Sequence, residues 1–141
     1  MSQQLNIVTL GVKDLKRSLK FYKDGLGWEP SRASTENITF FQMGGVVFAL
    51  YPRDKLAEDA KISSEGSGFS GITLAYNTKG QAEVDEVLTK VENLGATIVK
   101  KAEKVFWGGY SGYFADFDGH LWEVAWNPFF EFDESDNLVL P

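Results

Sequence analysis

Few side chains in this sequence can do chemistry, and the one in the most demanding setting is Glu123. It lies in the stretch 107–126, W-G-G-Y-S-G-Y-F-A-D-F-D-G-H-L-W-E-V-A-W. That stretch reads as two strands about the turn Asp116-Phe117-Asp118-Gly119. Gly tolerates positive φ there and Asp bonds its own backbone. Strand alternation places Leu121, Glu123 and Ala125 on one face of the return strand, and Trp122, Val124 and Trp126 on the other. The second set is all apolar and is expected to face a helix layer. A carboxylate flanked by apolar neighbours requires a hydrogen-bond donor, a cation, a metal, or water in a cavity. Glu123 is therefore the candidate catalytic residue, as a general acid or base. The plainer structural reading is an ion pair or bound water across a cavity. One acid without an evident basic or nucleophilic partner is a thin catalytic set. The sequence has no cysteine, which excludes disulfides, cysteine-ligated zinc and thiol catalysis. The single histidine, His120, adjoins the turn on the face opposite Glu123 and reads as a surface or capping group.

Two similar sets of elements would position these residues. Leu5 to Val12 is short and β-branched, a buried strand. Asp14 can cap a helix from Leu15 to about Lys23, with Leu15, Leu19, Tyr22 and Leu26 on its buried face. Gly25 and Gly27 end it. Trp28-Glu29-Pro30 begins an extended piece, and Asn37–Phe41 with Val46–Tyr51 reads as a hairpin about Gly44-Gly45. Pro52 to Phe69 is polar and reads as linker and loop. The pattern then restarts. Gly71–Tyr76, G-I-T-L-A-Y, resembles Ile7–Val12, I-V-T-L-G-V. A helix is expected from Gln81 to Leu94, with Val84, Val87, Leu88, Val91 and Leu94 as its apolar stripe. A strand over Ala96–Val99 and the Trp107–Trp126 hairpin complete the second set. The implied fold class is α+β: two βαβββ modules paired around a cleft. Residues 5–128 would form one domain, with module one at 5–52, a linker at 53–69 and module two at 70–127. A tail follows at 129–141.

Bulk properties narrow the function. A chain of 141 residues is one domain by length, and 43% apolar content fits a globular protein. A net charge of −6 without a basic cluster argues against nucleic acid or an anionic membrane as partner. No secretory signal or membrane-length apolar run is visible, so a soluble cytoplasmic protein is expected. The aromatic share is high, and a cleft lined by some of these rings suits a flat or apolar small molecule. A cationic ligand could also bind through ring faces and the carboxylate. A symmetric final hairpin pairs Gly112 with Glu123, Phe114 with Leu121, and Tyr110 with Ala125, with Trp107 and Tyr110 near the mouth. Thr9, Tyr51 and Thr73 share that parity on other cleft-facing strands.

The motifs D-L-K-R-S-L-K-F-Y at Asp14–Tyr22, L-G-W at Leu26–Trp28 and D-F-D-G-H-L-W-E-V at Asp116–Val124 carry a resemblance. Together with the order of elements, they resemble the vicinal oxygen chelate superfamily over about residues 5–128. That superfamily includes glyoxalase I, extradiol dioxygenases, fosfomycin-resistance enzymes and bleomycin-binding proteins. Phe117 departs from the proline usual between the two turn acids. The resemblance implies metal ligands at four matching positions, occupied here by Ile7, Ala49, Gly71 and Glu123. Three of these cannot bind a metal through their side chains, so no metal and no cofactor is expected. The expected function is metal-free binding of a small molecule, with Thr9, Ala49, Tyr51, Thr73, Trp107, Tyr110, Gly112, Phe114, Leu121 and Glu123 as ligand contacts. The alternative is a lyase, isomerase or dioxygenase-like enzyme using Glu123 or an atypical metal site. The resemblance also implies a homodimer. Phe129, Phe130 and Phe132, interleaved with acids in the tail, are expected to dock on the domain or on a partner subunit.

Overall fold

The computed structural model describes residues Met1–Pro141. The chain forms two compact units, Met1–Gly68 and Phe69–Pro141. The architecture is mixed α+β, as expected from the alternating element pattern.

In the first unit, β1 (Ile7–Val12), β3 (Val46–Pro52) and β2 (Thr39–Met43) form a sheet in the order β1-β3-β2. β1 runs parallel to β3, with Thr9 opposite Ala49, and β2 pairs antiparallel with β3 about Gly44-Gly45. Gly44 has φ 59°, the left-handed conformation that this tight turn requires. Asp14 caps α1 (Leu15–Leu19), its carboxylate accepting from the Arg17 N–H at 3.1 Å. The helix then widens into a π-helical segment, Lys20–Gly25. The wider turn lets the adjacent Phe21 and Tyr22 both be buried, whereas the regular helical stripe anticipated Tyr22 without Phe21. Tyr22, Trp28, Phe41 and Phe48 form the aromatic core of this unit, with ring centroids 5.3–6.2 Å apart.

Two expectations fail here. Trp28-Glu29-Pro30 is not a strand, so the first unit is βαββ rather than βαβββ. The Trp28 ring is committed to the aromatic core. The following loop bonds irregularly to β2, with the Ser31 N–H donating to the Phe40 carbonyl at 2.8 Å and the Phe40 N–H to Ser34 Oγ at 2.9 Å. The supposed linker also opens with a helix, α2 (Arg53–Asp59), packed on β1 and β3. Its polar composition belongs to the solvent face, while Ala57 is buried. Gly11 permits the approach, because a Cβ there would lie 3.1 Å from the Arg53 Cα.

The second unit is βαβββ, followed by a small hairpin. β4 (Leu74–Thr78), α3 (Gln81–Asn93), β5 (Thr97–Lys104), β6 (Tyr110–Ala115) and β7 (Leu121–Trp126) give a sheet in the order β4-β7-β6-β5. β4 starts at Leu74, three residues later than the G-I-T-L repeat suggested. Gly71 precedes it with φ 80°, a conformation outside the strand region. Val84, Leu88 and Val91 of α3 are buried, as its apolar spacing predicts.

One turn design closes three hairpins: β5–β6, β6–β7, and that of β8 (Glu131–Phe132) with β9 (Leu138–Val139). Each begins as a tight turn whose last residue takes a positive φ: Gly108 at 91°, Gly119 at 80° and Asp136 at 61°. The residue entering each turn exchanges backbone bonds across it. The Asp116 N–H donates to the His120 carbonyl at 3.0 Å, and the Gly119 N–H donates back to the Asp116 carbonyl at 3.1 Å. Such a loop holds one residue more than a two-residue turn, and its third residue requires the left-handed conformation.

That extra residue moves the register. Glu123 pairs with Tyr113 rather than Gly112, Trp122 with Phe114, and Trp126 with Tyr110. A slip of one residue turns every side chain to the other face. Tyr110, Gly112 and Phe114 therefore lie on the α3 face of the sheet, away from Glu123. The Tyr110 hydroxyl donates to Asp85 on α3 at 2.7 Å, and the Phe114 and Trp122 rings stack 6.2 Å apart. A Cβ on Gly112 would come within 2.8 Å of Leu88 Cδ1.

Candidate functional site

Turned to the face opposite α3, Glu123 is joined by Tyr113 and Ser111 from β6 and by Leu121 and Ala125 from its own strand. On β4, Ala75 lies beside Glu123 and Asn77 beside Ala125. Glu123, Tyr113, Ser111 and Trp107 line a cavity of about 330 Å³, together with Lys100, Glu103, Lys104, Val105 and Phe106. Leu121, Ala125 and Ala75 beside Glu123 offer its carboxylate no side-chain donor, so it needs a partner from β6. Tyr113 supplies it, its hydroxyl donating to Glu123 Oε2. That bond, with burial and the carboxylate's charge adding to it, holds the Tyr113 phenol protonated and pushes its pKa up to about 12. The phenol is thus a fixed hydrogen-bond donor through the neutral range. Ser111 is buried beside it, and Lys100 and Glu103 form an ion pair of 3.1 Å at the solvent side.

Trp107 comes from the β5–β6 loop. The loop closes with the Val105 N–H donating to the Gly109 carbonyl at 3.0 Å, and Gly108 takes the left-handed residue's place. Gly109 lies directly under the Trp107 ring, so a Cβ at that position would run into it. Only glycine at position 109 leaves room for the ring in this position.

The other proposed contacts fall elsewhere. Thr9, Ala49 and Tyr51 lie on one face of the first unit's sheet, Thr9 and Ala49 as direct neighbours. Thr73 immediately precedes β4, with the parity of Ala75. The backbone N–H of His120 donates to Asp116 Oδ1 at 2.9 Å, part of the turn. Tyr113, Ser111, Lys100 and Glu103 were not anticipated. The first two would have followed from a hairpin centred on Asp118. The lysine and glutamate depend on irregularities in β5 that carry no sequence signature.

The residues present do not fit the metal that the resemblance implies. No three His, Cys, Asp or Glu side chains converge in a geometry that could hold an ion. Ile7 is 49% exposed, Ala49 is fully buried, and Gly71 has open space where a side chain would be. Glu123 shares its cavity with a phenol, a serine hydroxyl, two lysines and Glu103, whose carboxylate is paired with Lys100, a lining that suits an organic ligand better than zinc, iron or nickel. No helix is long and apolar enough to cross a membrane.

Comparisons with known proteins agree with this architecture. A glyoxalase-related enzyme from Fulvimarina pelagi superposes with a TM-score of 0.88 at 33% identity, covering 99% of both chains. The fosfomycin resistance protein FosX of Listeria monocytogenes is 28% identical over 130 residues, 88% of this chain and 90% of that protein. Its crystal structure matches with a TM-score of 0.69 at 27% identity, over 92% of this chain and 97% of that one. The family model described as Glyoxalase/Bleomycin resistance protein/Dioxygenase superfamily matches residues 4–124, most of the length, and the chain belongs to that superfamily.

Proposed function

We propose that this protein is a metal-free small-molecule-binding member of its superfamily, and that Glu123, Tyr113 and Trp107 hold the ligand. The observation that carries this reading is the Tyr113–Glu123 pair inside a cavity flanked by Trp107. A donor and an acceptor fixed beside an aromatic ring orient a small molecule, and the cavity's volume lies at the small end of the usual range for ligand sites. The protein works as a homodimer in this reading, supported by the exposed apolar residues Ile72, Phe129 and Leu140. Thr73, which has the parity of Ala75, and Leu121, on the Glu123 face of β7, remain proposed contacts.

The second reading is an enzyme in which Glu123 acts as acid or base. The relative named as a fosfomycin resistance protein and the neighbour named as a glyoxalase-related enzyme favour it. Native mass spectrometry of the untagged protein as purified separates the two. A dimer without metal, carrying an organic adduct, is the expected result. A stoichiometric metal overturns the metal-free reading and moves the enzyme to first place. Under the enzyme reading Glu123→Gln abolishes turnover, so a variant with full turnover removes Glu123 from the chemistry.

A further inference from the structure

Two of the cavity's four charged groups lie in a row with its phenol. Lys100 of β5 is opposite Tyr113 of β6, and Tyr113 is opposite Glu123 of β7. Directly opposite residues on neighbouring strands share a face. The row is therefore cation, phenol and carboxylate across three adjacent strands, its ends roughly 10 Å apart at Cα from the usual strand spacing.

This arrangement requires the irregularity of β5. Ile98 pairs with Phe114, on the α3 face. In a regular strand Lys100, two residues on, would share that face. A register shift between Ile98 and Lys100 turns Lys100 to the Glu123 side, and a second, between Lys100 and Glu103, brings Glu103 to the same side opposite Ser111. Bulges of this kind re-aim side chains. Here they place a lysine on the face that carries the single acid of β7.

We propose that the cavity takes a zwitterion of the amino-acid type with an apolar side chain, its ammonium on Glu123, its carboxylate on Lys100 and its apolar part against Trp107. This assignment rests on the small-molecule-binding reading above and names the ligand class. Tyr113 occupies Glu123 Oε2, which leaves Oε1 for an ammonium N–H. Lys100 holds Glu103 through a partly exposed ion pair, a weak interaction that a ligand carboxylate can displace. A ligand with only one charge would satisfy one end of the row and leave the other to solvent.

Three ring-matched probes test this by calorimetric titration of the full chain: L-phenylalanine, 3-phenylpropionate and phenethylamine. Phenylalanine is expected to bind at least about tenfold tighter than either singly charged probe, the scale of one charge-assisted hydrogen bond. Glu123→Gln should erase its advantage over 3-phenylpropionate, and Lys100→Met its advantage over phenethylamine. Circular dichroism confirms that both variants are folded, and the wild-type ranking decides the matter even where one is not. Phenethylamine binding as tightly as phenylalanine overturns the proposal in favour of a simple cation site. If none of the three binds while native mass spectrometry still finds an organic adduct, the zwitterion is overturned and the broader binding reading stands. If none binds and the adduct is also missing, both fail.

Discussion

Glu123 was conspicuous in the sequence as an acid in an apolar strand, but its partner was not. Strand alternation identified the correct face of β7. The partner strand was aligned by a turn one residue too short, so Gly112 stood where Tyr113 belongs. The chemistry at this scale is the phenol–carboxylate bond, and its pH behaviour follows from the direction of the shift. An ordinary tyrosine loses its proton near pH 10.0, whereas Tyr113 keeps it to about pH 12. Between those values the folded chain binds more protons than the unfolded one. The stabilisation from this bond is therefore complete below pH 10 and is lost as pH rises toward 12. Tyr113→Phe should remove one late-titrating phenol from an ultraviolet pH titration and flatten the alkaline fall in stability. An unchanged alkaline limb would show that Tyr113 does not hold Glu123 in solution.

Among the elements, those governed by local rules were legible. The capping aspartate of α1, the apolar stripe of α3 and the glycine pair between β2 and β3 each announce themselves within a few residues. α2 was hidden because a short amphipathic helix with one buried alanine resembles a polar loop. The β5 bulges were hidden because they answer to tertiary packing: a Cβ on Gly112 would lie 2.8 Å from the Lys100 carbonyl and 2.9 Å from the Ala102 amide. Gly112→Ala should thus cost about 1–3 kcal/mol, the usual penalty for overpacking, and weaken binding at the Lys100 end of the cavity. Thermal denaturation checks the first effect and titration the second. The repeated turn provides its own control. Asp116 and Asp133 each accept two backbone N–H bonds through Oδ1, at 2.8–2.9 Å, but Asp116 is buried and Asp133 is exposed. Asp116→Ala leaves two part-buried N–H donors, those of Asp118 and His120, without their acceptor and should cost about 2 kcal/mol. Asp133→Ala lets water replace the carboxylate, and urea denaturation should record a distinctly smaller loss. Equal losses would mean that burial does not set the value of this turn.

For the whole molecule, sequence periodicity revealed a repeat but gave the two units more symmetry than they have, since only the second completes βαβββ. The C-terminal residues show why local pattern was insufficient. Three phenylalanines among acids suggested docking, and they meet different fates: Phe130 and Phe132 are partly covered, while Phe129 is 77% exposed. The β8–β9 hairpin is latched to the second unit by the Lys79–Asp136 ion pair, with Lys79 5.8 Å above the Phe132 ring. The side chains of Leu138, Val139 and Leu140 are exposed in the single chain. These residues are where the proposed dimer would gain apolar contact. A chain ended at Asn127 should lose about 1–2 kcal/mol, because the apolar contacts of the half-buried Phe130 and Phe132 go with the deleted residues, and should sediment as a monomer where the full chain is a dimer. The two effects are separable. A truncated chain that is less stable but still dimeric confines the hairpin to its own unit. One that stays dimeric and equally stable removes the tail from both roles and directs the search for the dimer contact to exposed residues elsewhere, Ile72 and Tyr76 first.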